Sequence, residues 1–331
     1  MSRIRTRTGW TLVLLSLLLH LFTVFCYARQ ADHFAAFTVL PIWVWGGGGL
    51  FLSCVAFYFL RAPLSLVMTG VWAVTLLVGA DEAKVLANLG KTKPLPGPAA
   101  AHDGMPVLRA VTLNCGVFRF GNPANDVAAW NPDIVLLQDV LPHQVKQIAD
   151  VLYNGHGDYR EHRTNGIVTR WKIQRVIRNP LQRNQQVTIV MPDGRTLEVI
   201  NLHLSSAATD LRFWNRPTWT AHRVNRVLRR NELALAFEVF KETTNHPNTP
   251  TLLGGDFNAP ANDTVHRQLA TDFTDAFASA GTGWGNTFQR RFPIIRIDCL
   301  YSTRHLTPVR SLTVTTRNSD HRMVVADFVY R

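Results

Sequence analysis

The sequence is short of acidic residues and of cysteine. Its 331 residues carry 23 Asp and Glu against 35 Lys and Arg, a formal net charge of +12 at pH 7. The four cysteines fall in no zinc-type spacing and build no disulfide framework, which argues against a zinc-finger or disulfide-stapled protein. The basic charge favours an anionic partner, which could be nucleic acid, an anionic lipid surface or a phosphorylated substrate.

Charged residues are also scarce in the first eighty positions, where three dense apolar runs cover residues 10–27, 34–60 and 64–80. A bilayer core needs about 20 apolar residues per helix. We therefore predict an integral membrane anchor over residues 1–86, with about three transmembrane helices.

Two alternatives to an anchor fit parts of this pattern. Arg3, Arg5 and Arg7 precede the first run, as in a secretory signal sequence, and polar residues recur at helical spacing in that run, as in a buried core helix. Two further apolar runs, and the lack of Asp, Glu, Lys and Arg from position 13 to position 25, favour the anchor.

The orientation of the anchor is predicted from its flanking charges. Lysine and arginine accumulate on the cytoplasmic side, so the three N-terminal arginines favour a cytoplasmic start in the plasma (inner) membrane. Three spans then place the rest of the chain on the non-cytoplasmic side. Lys84, Lys91 and Lys93 oppose this orientation, because they follow the third run.

A Pro-, Gly- and Ala-rich segment over residues 87–106 predicts a linker to a soluble domain over residues 107–331. Helical spacing predicts helices at 142–152 and 219–241. Short β-branched runs predict strands at 107–114, 134–138, 166–169, 186–191, 196–204, 251–253, 297–301, 311–315 and 323–329. This order of strands and helices favours two sheets packed face to face with helices outside.

Carboxylate, carboxamide and imidazole side chains end or follow several predicted strands, where a scaffold can hold them rigidly. These candidate site residues are Asn114, Asp139, His203, Asp256, Asn258, Asp298, Asp320 and His321. Hard divalent cations take oxygen ligands, so a site with Asn114, Asp139 and Asp320 suits Mg²⁺, or Mn²⁺, better than zinc. The set also offers an acid or base, because Asp298 could orient His321.

Six motifs, TLNCG, DIVLLQD, NLHL, GGDFN, RIDCLY and SDH, follow one another between residues 107 and 331. In this order they resemble the endonuclease/exonuclease/phosphatase superfamily, which includes abasic-site endonucleases, inositol polyphosphate 5-phosphatases and neutral sphingomyelinases. The resemblance implies an α/β (α+β) fold, a four-layered sandwich of two mixed β-sheets flanked by helices. It also implies a divalent-metal-dependent hydrolase acting on phosphoester bonds.

The resemblance implies a role for each candidate residue. Asn114, Asp139 and Asp320 resemble metal-site residues. His203 resembles the donor to the phosphoryl oxygens, Asp256 the group that activates water or protonates the leaving group, and Asn258 the group that holds the phosphate. The remaining pair resembles the essential histidine, His321, with its orienting carboxylate, Asp298.

Two positions depart from the family's pattern. Asp139 stands where the family has glutamate, so its carboxylate is one methylene shorter. Mg²⁺ tolerates little error in ligand distance, so the ion must shift, a water must intervene, or metal affinity must fall. The family's GVAILS segment is replaced by NGIVTR at residues 165–170.

Three functions stay open, and a membrane-anchored, nuclease-like phosphodiesterase is the leading hypothesis. Nucleic acid is the substrate most often associated with these motifs, and Arg223, Arg226, Arg229 and Arg230 could contact a phosphate backbone, although a solvated helix face is the simpler interpretation of such arginines. Anchoring suggests instead a phospholipid or sphingolipid headgroup, because a tether concentrates the enzyme at the bilayer. A non-catalytic membrane-tethered binding module is the third hypothesis. The sequence indicates no protein partner.

Overall fold

A computed structural model describes residues 3–178, 183–207, 210–245 and 248–330. The described residues divide into two compact units. The helical unit comprises residues up to 87 together with residues 210–224. The sandwich unit comprises residues 88–207 and those from 225 onward.

The helical unit contains three long helices. Its elements are α1 Arg3–Arg29, α2 Ala35–Thr38, α3 Ile42–Leu60, α4 Pro63–Gly79 and α5 Asp81–Lys84, with single 3₁₀ turns at Asp32–Phe34 and Val85–Asn88. Helices α1 and α3 are long and apolar enough to cross a membrane. Helix α4 meets the same test only together with Asp81–Asn88, from which it is bent by 72°. The unit therefore offers two or three candidate membrane spans.

The second apolar run does not form one helix. Helix α3 begins at Ile42 because Pro41, which has no backbone N–H, takes an extended conformation just before it. The glycines of this run lie within α3, and two of them leave no room for a side chain. A Cβ on Gly49 would lie 1.9 Å from Trp72 Cε2, and one on Gly46 would lie 2.3 Å from Leu76 Cδ2. They allow α3 and α4 to approach closely, as small residues do between membrane helices.

The polar residues of α1 face neighbouring helices. Ser16 Oγ lies 2.8 Å from Ser53 Oγ and accepts a 3.0 Å hydrogen bond from Trp72 Nε1, while His20 Nε2 lies 2.8 Å from Thr75 Oγ1. About half of each of several large apolar side chains stays exposed on the same helix: Leu14, Leu18, Leu21 and Phe25. An apolar exterior around a polar interior favours a membrane-spanning helix over a buried core helix.

The sandwich unit contains two mixed sheets. The first is built from β1 Val107–Asn114, β2 Ile134–Gln138, β3 Asp158–His162, β4 Asn165–Thr169, β10 Gly281–Thr282, β12 Leu306–Thr315 and β13 Arg322–Tyr330, in the order β10-β12-β13-β1-β2-β4-β3. The second is built from β5 Lys172–Arg178, β6 Gln185–Val190, β7 Thr196–His203, β8 Thr251–Asp256, β9 Thr274–Asp275 and β11 Asp298–Ser302, in the order β5-β6-β7-β8-β11-β9. Strands β1 and β2 pair in parallel, as do β7 and β8, while the other long neighbours are antiparallel.

Helices cover the outer faces of both sheets. They are α6 Ala124–Ala128, α7 Pro142–Tyr153, α8 Arg216–Thr243, α9 Thr264–Leu269 and α10 Ala276–Ala280, and a 3₁₀ turn covers Gly116–Phe118. Leu136 and Val187 belong to the core between the sheets, Ile148 of α7 packs on the outer face of the first sheet, and Phe240 of α8 packs on that of the second. These four layers confirm the predicted fold class.

The segment predicted as a linker is attached to the sandwich unit. Residues 89–106 form no helix or ladder, but Nη1 of the buried Arg109 donates to the carbonyls of Leu95 and Gly97, at 2.9 and 2.7 Å. Arg109 also forms a fully buried ion pair with Asp327, with Nε and Oδ1 2.6 Å apart. The strand that leads to the site is therefore tied to the segment that precedes it.

Candidate active site

Strand pairing brings three candidate residues to one edge of the second sheet. In the parallel pair β7–β8, His203 is the register partner of Asp256. In the antiparallel pair β8–β11, Asp256 is the register partner of Asp298. Because neighbouring strands lie about 4.8 Å apart, the three side chains form a row at this edge.

The two glycines before Asp256 serve packing. A Cβ on Gly255, whose φ is +135°, would lie 1.9 Å from the Leu202 carbonyl oxygen, and one on Gly254 would lie 2.6 Å from Leu300 Cδ2. They let β8 pass close to β7 and to the core, and only glycine adopts such a backbone conformation readily.

Asn114 connects the first sheet to this row. Its Nδ2 donates to Asp256 Oδ2 at 3.0 Å and to Asp139 Oδ2 at 3.3 Å, and its Oδ1 accepts from the Gly116 backbone N–H at 3.0 Å. Asn114 is the register partner of Gln138, so Asp139 follows directly at the same edge. The ends of β1 and β2 therefore meet the end of β8.

Asp139 is more exposed to solvent than Asp256 and Asp298, which are buried. Its side chain is 37% exposed, whereas the side chain of His203, whose Nδ1 lies 3.8 Å from Asp139 Oδ1, is 5% exposed. Burial lowers the pKa of His203, against the opposing effect of the nearby Asp256 and Asp139 carboxylates, which keeps the ring neutral. The Nδ1 atom of this buried ring has no hydrogen-bond partner among the described residues.

His321 and Asp298 form a buried pair. His321 Nδ1 lies 2.9 Å from Asp298 Oδ2. Burial by itself would lower the pKa of His321, but the carboxylates of Asp298, Asp256 and Asp320 together raise it to about 10. His321 is therefore a cation at neutral pH, and of the two predicted options, acid or base, it fits the acid.

Asp256 is also shifted toward its protonated form, which for a carboxyl group is the neutral one. Burial, and then the charge of Asp298, raise the pKa of Asp256, against the effect of the two histidines and of the Asn114 hydrogen bond. The Asn258 backbone N–H donates to Asp256 Oδ1 at 2.8 Å, and Asn258 Nδ2 donates to the Leu204 carbonyl at 3.0 Å. Asn258 thus links Asp256 to the residue that follows His203.

Asp320 lies beside the turn after β1. A Cβ on Gly116 would lie 3.4 Å from Asp320 Oδ1. The neighbouring Ser319 fixes this loop, because its Oγ donates to the Asn114 carbonyl at 2.6 Å and accepts from the His321 backbone N–H at 3.0 Å. Direct contacts or adjacent positions therefore connect all eight candidate residues.

The acidic residues of the site have few positive partners. In the described part of the chain, Asp139 and Asp298 pair only with histidines, and Asp256 and Asp320 form no ion pair. Four carboxylates without a lysine or arginine, in a protein of net charge +12, fit a divalent cation bound through oxygen.

Ligand atoms of Asp256, Asp298 and His321 lie within 4.8 Å of one another, so this buried group could also hold an ion. It differs from the predicted metal set of Asn114, Asp139 and Asp320. The His321–Asp298 hydrogen bond uses one ligand atom of each residue, whereas Asp298 Oδ1 is buried without a hydrogen-bond partner among the described residues and is available to an ion.

The sequence patterns assigned no role to the polar residues that support the site from the interior of the sandwich. Gln138 Nε2 donates to Asn201 Oδ1 at 2.7 Å, and Asn201 Nδ2 donates to the carbonyls of Leu137 and Gly166, both at 2.9 Å. These bonds join the two sheets below the site. A polar residue inside the otherwise apolar motifs DIVLLQD and NLHL was the available signal. Thr287, whose Oγ1 accepts from the Asp298 backbone N–H at 3.1 Å, gave no signal.

The predicted basic helix face is wrong for two of its four arginines. Arg226 and Arg229 are 1% and 4% exposed, and both pair with Asp263, at 3.1 and 3.6 Å. Asp263 is buried where it caps α9, and its charge holds the two guanidinium groups inside the protein. Arg226 and Arg229 therefore form neither a phosphate-binding surface nor a solvated face, whereas Arg223 is exposed.

The chain matches the Endonuclease/Exonuclease/phosphatase family over residues 111–321. It belongs to this family. The predicted superfamily is thereby confirmed, and family membership makes the protein a hydrolase acting on phosphoester bonds. No curated protein matches the chain.

Several solved structures of the family share the fold. An endonuclease/exonuclease/phosphatase family protein from Bacteroides thetaiotaomicron is 17% identical, with 68% of this chain and 96% of that chain covered and a TM-score of 0.56. A mannosyl-6-phosphatase from the same species is 18% identical, with 67% and 100% covered and a TM-score of 0.55. Truncated Caenorhabditis elegans TDP2 is 16% identical, with 67% and 97% covered and a TM-score of 0.51.

Proposed function

We propose that this family member is a membrane-anchored phosphodiesterase that uses Mg²⁺ or Mn²⁺ at the site described above. The observation that carries the proposal is the convergence of four carboxylates with two buried histidines, His203 and His321, at one edge of the sandwich. Asp139, Asp320 and Asn114 would hold the cation. When bound, such an ion neutralises charge on the phosphoryl oxygens and favours ionisation of water.

The remaining residues divide the chemistry according to their environments. The cationic His321, oriented by Asp298, donates to a phosphoryl oxygen as negative charge builds there. The neutral His203 offers a second N–H. Asp256, whose raised pKa suits proton transfer, takes a proton from the attacking water or returns one to the leaving oxygen. The Asn258 side chain holds the phosphate.

Lipid headgroups are favoured over nucleic acid as the substrate. The nucleic-acid hypothesis drew support from the arginines of α8, and burial of Arg226 and Arg229 removes half of that set. The candidate membrane spans α1 and α3 support a substrate at the bilayer. The mannosyl-6-phosphatase among the solved relatives makes phosphomonoesters worth testing beside diesters.

Charges at one end of the helical unit support the predicted orientation. Arg5 Nη2 donates to the Tyr58 carbonyl at 3.3 Å, so the start of α1 lies beside the end of α3, which Arg61 follows. Basic residues gathered at one end favour a cytoplasmic location for that end. With α4 as a third span, the residues after it would lie on the non-cytoplasmic side.

Turnover of bis-p-nitrophenyl phosphate by the full chain in detergent micelles tests the proposal. We expect hydrolysis in the presence of Mg²⁺ and loss of activity in EDTA. The His321→Ala variant should be inactive, whereas the control variant Asp150→Asn, at an exposed position outside the site, should stay active. Parallel assays with plasmid DNA, a phosphoinositide and sphingomyelin identify the substrate class. A folded, metal-binding wild type that cleaves none of these esters would establish the binding module instead.

A further inference from the structure

We propose that residues 210–219, here called the aromatic loop, contact the lipid bilayer through Trp214 and Leu211. These residues belong to the helical unit, although they follow β7 of the sandwich in sequence. Trp214 is 84% exposed and Leu211 is 46% exposed. A tryptophan is rarely left this open in water without a partner, and its amphipathic ring suits the lipid headgroup region.

The neighbours of Trp214 attach the loop to one end of the helical unit. The ring centroid of Phe213 lies 6.2 Å from that of Trp45, and Trp219 Nε1 donates to the Phe213 carbonyl at 2.8 Å. Trp219 packs against a buried cluster that includes Tyr27 of α1 and Ile42 of α3. The loop therefore lies where α1 ends and α3 begins.

This end of the helical unit carries the aromatic residues expected at a membrane surface. Trp45 is in the first turn of α3, a candidate span, and therefore lies near the boundary between hydrocarbon and water. Trp45 stacks on Phe37 with ring centroids 4.0 Å apart, and Trp43 Nε1 donates to Glu82 Oε1 at 2.9 Å. Aromatic rings with polar partners mark this boundary in membrane proteins, so the contact of Phe213 with Trp45 places Trp214 near the same level.

The loop has a defined shape and a basic rim. The Asp210 carboxylate accepts hydrogen bonds from the Arg212 backbone and guanidinium, at 2.9 to 3.0 Å, and from Thr218 Oγ1 at 2.8 Å. Arg212 remains 63% exposed, and Arg216 is exposed as well. An apolar ring beside exposed arginines is the composition of segments that bind lipid headgroups. Because the rings align with those of a span, lipid fits this surface better than nucleic acid or a second copy of the chain.

The lipid contact of the aromatic loop also indicates the class of substrate, an inference that rests on the proposed function. Trp214 follows His203, the last residue of β7, by eleven positions in the sequence. A loop bound to headgroups favours a phosphoester that is itself part of a bilayer lipid, because the bound enzyme is concentrated where that substrate is found.

Fluorescence in proteoliposomes tests the lipid contact without turnover. The full chain carries Trp214→Cys with Cys54→Ser, because Cys54 is the exposed native cysteine and Cys26, Cys115 and Cys299 are buried. An environment-sensitive NBD label is attached, and vesicles are made with and without lipids that bear a doxyl quencher. The matched control carries the label at Val151→Cys, an exposed apolar position on α7.

We expect a blue-shifted label at position 214 that doxyl lipids quench about twofold or more, with little quenching at position 151. Equal quenching at the two positions would overturn the contact. A label at 214 that responds to single-stranded DNA but not to lipid would also overturn it.

Kinetics separate the two proposals. Trp214→Ala should raise KM for a bilayer phosphoinositide or sphingomyelin about tenfold, a change of about 1.4 kcal/mol, and leave turnover of soluble bis-p-nitrophenyl phosphate unchanged. Trp214→Phe should restore most of the loss. Quenching without hydrolysis of any ester refutes the proposed function alone, whereas hydrolysis without quenching refutes the aromatic-loop proposal alone.

Discussion

Replacing Asp139 with glutamate tests the position at which the site departs from the family's pattern. The Asp139 carboxylate lies 3.3 Å from Asn114 Nδ2 and 3.8 Å from His203 Nδ1, and its side chain is 37% exposed. The longer side chain therefore has an open side in which to extend. We expect Asp139→Glu to retain or raise activity.

The size of the effect follows from the length of one bond. An added methylene advances the carboxylate by up to about 1.5 Å. Direct Mg²⁺ ligands lie at about 2.0–2.1 Å, and the ion otherwise keeps its waters, so this advance spans most of the difference between a water-bridged and a direct contact. We expect the Mg²⁺ concentration for half-maximal activity to fall about tenfold, or about 1.4 kcal/mol.

The assay is a Mg²⁺ titration of bis-p-nitrophenyl phosphate hydrolysis by the full chain. Asp150→Glu is the matched control, because Asp150 is an exposed aspartate of α7 that pairs with Lys146. The control should titrate like the wild type. An inactive Asp139→Glu together with an Asp139→Ala that keeps wild-type Mg²⁺ dependence would refute the assignment of Asp139 to the metal.

Three further predictions concern other parts of the sandwich unit. Asp298→Asn removes the charge that orients His321 and should lower kcat about 10²–10⁴-fold, measured with the same ester; a loss under threefold, of about 0.6 kcal/mol, would contradict the pairing. Arg109→Met leaves the buried Asp327 with Arg310 as its remaining ion-pair partner among the described residues, and should lower the free energy of unfolding by about 3–5 kcal/mol in urea denaturation. Burial lowers the pKa of His266, so the unfolded chain binds a proton that the folded chain does not, and stability should fall as pH drops below about 6.5. The unfolding midpoint of His266→Gln should depend less on pH in that range, and an unchanged slope would contradict this account.

The interior of the sandwich could be predicted because its strands are apolar in sequence. Strands β1, β2 and β7 are buried along nearly their whole length, and their β-branched runs indicated them within a residue or two. Strands β3 and β5 were missed. They read DYREH and KIQRVIR and lie at sheet edges, where polar side chains remain partly exposed. The two-residue strands β9 and β10 are too short to show any period.

Only those site residues that lie at the end of an apolar strand could be predicted from the sequence. Motif order indicated His203, Asp256 and Asp298, and strand register explains why they meet. The supporting roles of Asn201 and Ser319 depend on partners more than sixty positions away, which local patterns do not show.

The same limit applies to α8. Spacing alone cannot reveal that Asp263 draws Arg226 and Arg229 into the protein, because the carboxylate comes from a loop more than thirty positions further along the chain. A charged helix face inferred from sequence is therefore uncertain wherever a distant carboxylate can be buried against it.

The central claim is that the eight candidate side chains form one divalent-metal centre. The most direct test is anomalous scattering from crystals of the full chain grown with Mn²⁺. We predict an anomalous peak with oxygen ligands from Asp139 and Asp320, in contact with Asn114. A peak held instead by Asp256, Asp298 and His321, or no peak at saturating Mn²⁺, would contradict the account.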